Sequence, residues 1–236
     1  MTSRVYRETF DNGPGGWFGW INNAQGPKRL ETRASSIVTR SPWWIDYNHA
    51  PPGAGYIHML GTLMTRGPFG EHLRETAGEN RFAAEKLPLD FVGAKMSLRS
   101  RGELIDRGAK VCLLLQGIHD GICSGWMLTG RPFSISHEWS TQTISLDPNP
   151  ALWTCLGSRH DRTDSYGVLP LEQVLRQVNV NLLLVMFPLD VAPMGAIDGD
   201  PHRLRPERDY PVWRSRLPEG WIEIDEVAIE FAEGAA

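Results

Sequence analysis

Two consecutive stretches restrict the fold of this chain more than any other feature. From Phe91 to Arg99 the residues alternate: Val92, Ala94, Met96 and Leu98 fall on one face, and Lys95, Ser97 and Arg99 on the other. A repeat of two is the period of a strand with one buried face. After the turn-like GELIDRG comes Ala109–Gln116, where Val111, Leu113 and Leu115 alternate against Cys112, Leu114 and Gln116. Both faces are largely apolar, which predicts a strand covered on both sides, in the middle of a sheet.

The same reading extends along the chain. Arg4–Phe10 is a first strand, closed by the turn Asp11-Asn12-Gly13-Pro14-Gly15-Gly16. Gly125–Thr129, Thr141–Asp147 and Val180–Phe187 are further strands. Trp221–Phe231 is the last, and its apolar phase changes at Asp225-Glu226, which predicts a bulge. One short helix is expected from Pro170 to Arg176, with Pro in the first turn and Leu171, Val174, Leu175 and Val178 as its stripe. Glu71–Lys86 carries a weaker helical pattern, and residues 61–88 read equally well as an insertion. Residues 188–220 are rich in Pro, Asp and Arg and read as a long irregular excursion. With no internal repeat and no break in composition, residues 1–236 are expected to form a single domain whose first and last strands pair. Many strands and few helices give an all-β fold, an antiparallel β-sandwich of the jelly-roll kind.

Charge and composition exclude several classes. With 24 basic and 28 acidic residues the formal charge is −4, and the Arg residues are interleaved with Asp and Glu. No basic face for nucleic acid is expected. The longest apolar stretch, Leu182 to Phe187, is too short to span a membrane. The N-terminal MTSRVYRETFDNG has no apolar segment of the leader type, so a cytoplasmic location is the expectation. The three Cys show no CxxC spacing, and Cys112 reads as a buried thiol. No GxSxG, HExxH, P-loop or GxGxxG pattern occurs in a supporting context.

The opening ETFDNGPGGW resembles the F-D-x-G-x-x-G-W start of many carbohydrate-binding jelly rolls, and the ending GWIEIDEVAIEF resembles their final strand. From SPWWIDYNHAPPGAGYIHMLG through FVGAKMSLRSRG to LEQVLRQVNVNLLLVMF, the layout is similar to the laminin-B (laminin IV) type of sandwich. The DYNHAPPGAGYIH segment departs from that pattern. The resemblance implies a saccharide-like ligand. It also implies a structural Ca²⁺ between the terminal strands, at positions that are here Glu8, Asp11 and Asp225.

The segment Ser41–Gly61 concentrates the chemistry: Trp43, Trp44, Asp46, His49 and His58 among Pro and Gly, read as a loop. In extended backbone Trp43 and Trp44 face opposite ways, so one indole is expected to meet solvent, a ligand or a partner. Aromatic faces beside a few polar groups are the usual makeup of a small-molecule site. Trp43, Trp44, Trp126 and Trp139 are the candidates for stacking on a sugar, with Arg99 and Gln116 offering hydrogen bonds from one sheet face. Asp46, His49 and His58 could ligate a transition metal with open positions, or act as an acid/base group. Glu138, next to Trp139, is a further candidate acid if desolvated. Three functions therefore stand: a jelly-roll protein binding a saccharide or similar polar small molecule; a lyase or hydrolase on the same scaffold; and an oligomer-forming structural protein whose exposed aromatics make the subunit interface.

Overall fold

A computed structural model describes residues 4–20, 26–46, 56–67, 69–157, 164–189 and 216–235, and the side chains of Asp46 and Tyr56 are not among what it describes. Among these residues the strands are β1 (Val5–Glu8), β2 (Trp17–Trp20), β3 (Pro27–Arg29), β4 (Glu31–Arg33), β5 (Ser36–Arg40), β6 (Trp44–Asp46), β7 (Tyr56–Met64), β8 (Lys95–Ile105), β9 (Lys110–His119), β10 (Ile122–Met127), β11 (Ser140–Ser145), β12 (Thr154–Cys155), β13 (Asn181–Leu189) and β14 (Glu219–Glu230). The helices α1 (Arg74–Ala77), α2 (Arg81–Ala84) and α3 (Leu171–Arg176) are short.

The strands form two antiparallel sheets. The first runs β11-β8-β14-β5-β4, with β1 also on β14. The second runs β12-β10-β9-β13-β7-β2-β3, with β6 also on β7. β1 pairs with β14 from Val5↔Glu230 to Glu8↔Val227, so the first and last strands do join. The expected bulge falls where the β8–β14 register shifts, between Ile224 and Glu226.

The architecture follows from the side-chain pattern. Leu98, Ile222, Ile224, Val227 and Ile229 of the first sheet meet Trp17, Leu113, Leu115, Leu182, Leu184 and Met186 of the second in one buried cluster. At one end Phe82 of α2 closes it, with its ring 5.3 Å from Tyr6, 6.1 Å from Phe91 and 6.2 Å from Phe231. Each such aromatic contributes roughly 2–3 kcal/mol by leaving water. β9 and β13 occupy the centre of the second sheet because both of their faces are apolar. Their remaining residues, Cys112, Leu114, Leu183, Val185 and Phe187, are buried on the outer face with Trp44, Ile57, Met59 and Met127.

Two expectations change. The stretch Ser41–Gly61 is not one loop: β6 and β7 take up its two ends. Residues 61–64, placed in an insertion, continue β7, while the helical pattern of Glu71–Lys86 breaks at Gly78 into α1 and α2. Gly78 has φ +74°, a conformation that ends a helix. Most of 188–220 lies outside the described residues. Among the described residues no helix is long and apolar enough to cross a membrane.

Candidate functional site

Alternation along β6 separates the two adjacent indoles. Trp43 enters the core between the sheets, and its indole N–H donates to Thr39 Oγ1 at 2.8 Å, whose hydroxyl donates to the Leu60 carbonyl at 2.7 Å. Trp44 joins the cluster on the outer face of the second sheet, 6.2 Å from the Trp20 ring. The opposed directions are as expected, but each Trp is only 7% exposed. Both faces of this sheet are covered at that point.

His58 sits on the core side, 1% exposed, with its ring 5.9 Å from Trp43. Among the described residues neither ring nitrogen has a hydrogen-bond partner. Burial pushes its pKa down to about 4, so the ring is neutral at neutral pH. A histidine enclosed in this way does not exchange protons with a ligand on the surface. Asp46 pairs through its backbone with Ile57. Its side chain and all of His49 lie outside the described residues, and the expected meeting of Asp46, His49 and His58 lies outside them too.

The other candidates are dispersed. Trp126 lies opposite the core residue Leu115 and packs against the main core, with its indole N–H donating to the Leu169 carbonyl at 3.0 Å. Arg99 and Gln116 do not share a face, because the turn after β8 carries the chain from the first sheet to the second. Arg99 instead lies over Trp139, 5.0 Å from the ring, with Arg101 at 4.8 Å, and pairs with Asp225 across the outer face of the first sheet. Glu138 is 92% exposed at its side chain, so the indole beside it does not desolvate the carboxylate.

The carboxylates matched to a calcium site do not make one shell. Glu8 is buried, and its Oε1 accepts from the Phe10 N–H at 2.9 Å. Asp11 is exposed and accepts from the Thr9 hydroxyl at 2.6 Å; a Ser35 hydrogen bond, then that of Thr9, hold its carboxyl below the usual range. Asp225 is bound to Arg99; burial raises its pKa, and the guanidinium offsets only part of that. Calcium needs several oxygens converging on one point. Among the described residues no three His, Cys, Asp or Glu side chains do so. No step is derived through the ion.

One group of unsatisfied polar side chains does come together, on the outer face of the second sheet. Asn181 opens β13 and lies directly between Met64 on β7 and Gln116 on β9. Thr62 is two pairs further along, opposite Leu183 and beside Phe18 of β2. Gln116 is buried, and Gly125 opposite it leaves it room: a methyl group there would lie 3.1 Å from Gln116 Cγ. Thr62 is 1% exposed, and among the described residues neither its Oγ1 nor Asn181 Oδ1 has a hydrogen-bond partner. The aromatic flank is Phe18, Trp20 and Trp44, with Trp20 half-buried and 5.9 Å from Phe18. Buried polar atoms are ordinarily hydrogen-bonded, so two orphans in adjacent rows mark a place with bonding capacity unused. Of these residues the sequence pointed only to Gln116 and Trp44. Thr62, Asn181 and Trp20 carried no local signal, since only the register across β2, β7, β13 and β9 joins them.

Fold and site together define an all-β protein, an antiparallel β-sandwich with a polar row and an aromatic flank on one outer face. No family model matches the chain, and no curated protein matches it. Among solved structures it is similar to a xylan-binding module, CBM15, at 11% identity and a TM-score of 0.34, with 98% of each chain covered. It is also similar to an immunostimulatory antigen and pseudo β-1,3-glucanase of Mycobacterium tuberculosis, at 12% identity and a TM-score of 0.33, with 97% of this chain and 98% of that one covered. Overlap at this level carries no functional information.

Proposed function

We propose that this chain binds a saccharide on the outer face of its second sheet. The observation that supports this best is the half-buried Asn181, whose Oδ1 has no hydrogen-bond partner among the described residues, beside the Gln116 amide and the half-buried Trp20. A sugar presents apolar C–H faces, which an indole covers, and hydroxyls, which need amide and hydroxyl partners in fixed positions. Both requirements are met by groups held on strands rather than on loops. Acid/base chemistry has less support, because His58 is enclosed in the core and Glu138 stands in water.

Binding of neutral oligosaccharides, followed by calorimetry or by Trp fluorescence, tests the reading. Trp20→Ala removes an aromatic face and is expected to weaken binding by roughly tenfold. Thr62→Val replaces a buried, unpartnered hydroxyl by a methyl group and should stabilise the protein by about 1 kcal/mol in urea, with no change in the affinity of a ligand that does not reach it. Trp139→Ala, on the other sheet, should leave binding unchanged. If Trp20→Ala leaves saccharide affinity intact, the face is only a packed surface and the proposal fails.

A further inference from the structure

A cleft of about 1000 Å³ opens between the end of β7 and the α1–α2 segment. Met64 belongs both to its lining and to the polar row, where it pairs with Asn181. Ala77 of α1 packs with Leu73 on Met64 and Phe18, which sets α1 on the same outer face of the sheet. The Asn80 side chain fixes the far wall: its amide donates to the Met64 carbonyl at 2.6 Å, and its oxygen accepts from the Ala83 N–H at 3.1 Å.

Several guanidinium groups outside the cleft are paired: Arg7 with Glu226, Arg40 with Glu31, Arg81 with Glu85, Arg101 with Glu223 and Arg176 with Glu172. Arg66, Arg74 and Lys86 all line the cleft, and among the described residues none of them has an ion-pair partner. Glu71 and Glu79 line it as well and offset part of that charge, leaving basic groups in excess of acidic ones by three to two, with His72 beside them. Three unpaired cations around one open volume suit an oxyanion, and guanidinium forks match a carboxylate in particular.

We infer that the saccharide held on this face carries a carboxylate, and that the carboxylate seats in this cleft against Arg66, Arg74 and Lys86. The inference rests on the saccharide-binding reading and names the class of sugar: a uronate-containing chain running from the Trp20 flank past Asn181 into the basic cleft.

Two probes that differ only at C6 separate the two claims: a trimer of galacturonate and the matching neutral trimer of galactose, each titrated calorimetrically into the whole protein. The expected result is roughly tenfold tighter binding of the uronate trimer at low salt. That preference should shrink as added salt shortens the Debye length. The triple variant Arg66→Gln, Arg74→Gln, Lys86→Gln changes exposed side chains only and should keep its melting temperature. It should bind both trimers alike, at the affinity the unaltered protein has for the neutral one. Equal affinities in the unaltered protein, or a preference that survives in the triple variant, would overturn the inference. Neutral binding that still responds to Trp20→Ala would in that case leave the saccharide reading standing. A uronate preference abolished by the triple variant but indifferent to Trp20→Ala would keep the cleft and remove the face. Failure of both trimers to bind would overturn both.

Discussion

Gly220→Ala is expected to destabilise the fold by about 3 kcal/mol or more, enough to consume much of the stability of an ordinary domain. The residue has φ +137°, where L side chains are strained. A Cβ there would lie 1.9 Å from the Glu103 carbonyl oxygen and 3.1 Å from Leu104 Cα. Both atoms are backbone in the paired strand β8, so neither can swing aside. The same glycine fastens the approach to the Trp43-Trp44 pair: its N–H donates to Ser41 Oγ at 3.1 Å, and its carbonyl accepts from the Ser41 N–H at 3.0 Å. Moving β14 away from β8 to admit a methyl group would therefore disturb the entry to β6 as well. Gly108→Ala is the matched control. Its φ is +91°, but nothing lies within 4 Å of the added carbon, so it should lose only about 1 kcal/mol from backbone strain. Urea midpoints of the two variants read the difference. If Gly220→Ala unfolds no earlier than Gly108→Ala, the close approach of β8 and β14 at this point is not a feature of the protein in solution.

That contact also shows where sequence reasoning stops. Alternation identified β8, the apolar faces of β9 and β13, and the phase change in β14, because each is written within a single strand. It could not say which strands meet. Arg99 and Gln116 looked like neighbours because only a short turn, Asp106 to Ala109, separates β8 from β9. The turn crosses between sheets, and nothing in GELIDRG distinguishes a crossing from a return within one sheet. Trp43 and Trp44 were correctly read as opposed. Their shared burial depends on what covers the outer face, which is a property of Trp20, Met59 and Val185 rather than of the dipeptide. Thr62 and Asn181 were invisible for the same reason. A Thr in YIHMLGTLM and an Asn before LLLVMF are ordinary strand residues until register sets them two pairs apart on one face. The Ca²⁺ expectation was carried from a resemblance of motifs. The structure shows those positions bonded separately, Glu8 to the Phe10 N–H, Asp11 to Thr9 and Asp225 to Arg99.

His58 gives the second large effect, a loss of stability on mild acidification. Its imidazole is held near pKa 4 by burial in the folded protein, against 6.5 when exposed. Between those values the unfolded chain binds a proton that the folded chain refuses, so stability falls as the pH drops. The loss begins near pH 6.5 and is complete below about pH 4. The separation corresponds to about 3 kcal/mol for a side chain this enclosed. Glu223 adds a distinct acid step at lower pH. Burial alone would raise its pKa, but the Ser36 hydroxyl and the Arg101 guanidinium outweigh it and hold the carboxyl below 4.5. The stability Glu223 contributes is present above that value and disappears as the pH falls through its lowered pKa, so between pH 6.5 and 5 His58 dominates. His58→Leu separates the two. It removes a titrating group and two unpartnered nitrogens while keeping a similar volume beside Trp43. Urea melts of this variant should show a flat stability between pH 6.5 and 5, where the unaltered protein slopes, and both should fall together below pH 4.5. A variant that keeps the original slope would place the acid-sensitive group elsewhere. A flat profile with saccharide binding retained would establish His58 as a core residue, separating the one histidine of the Ser41–Gly61 segment that the structure describes from any work that segment does on a ligand.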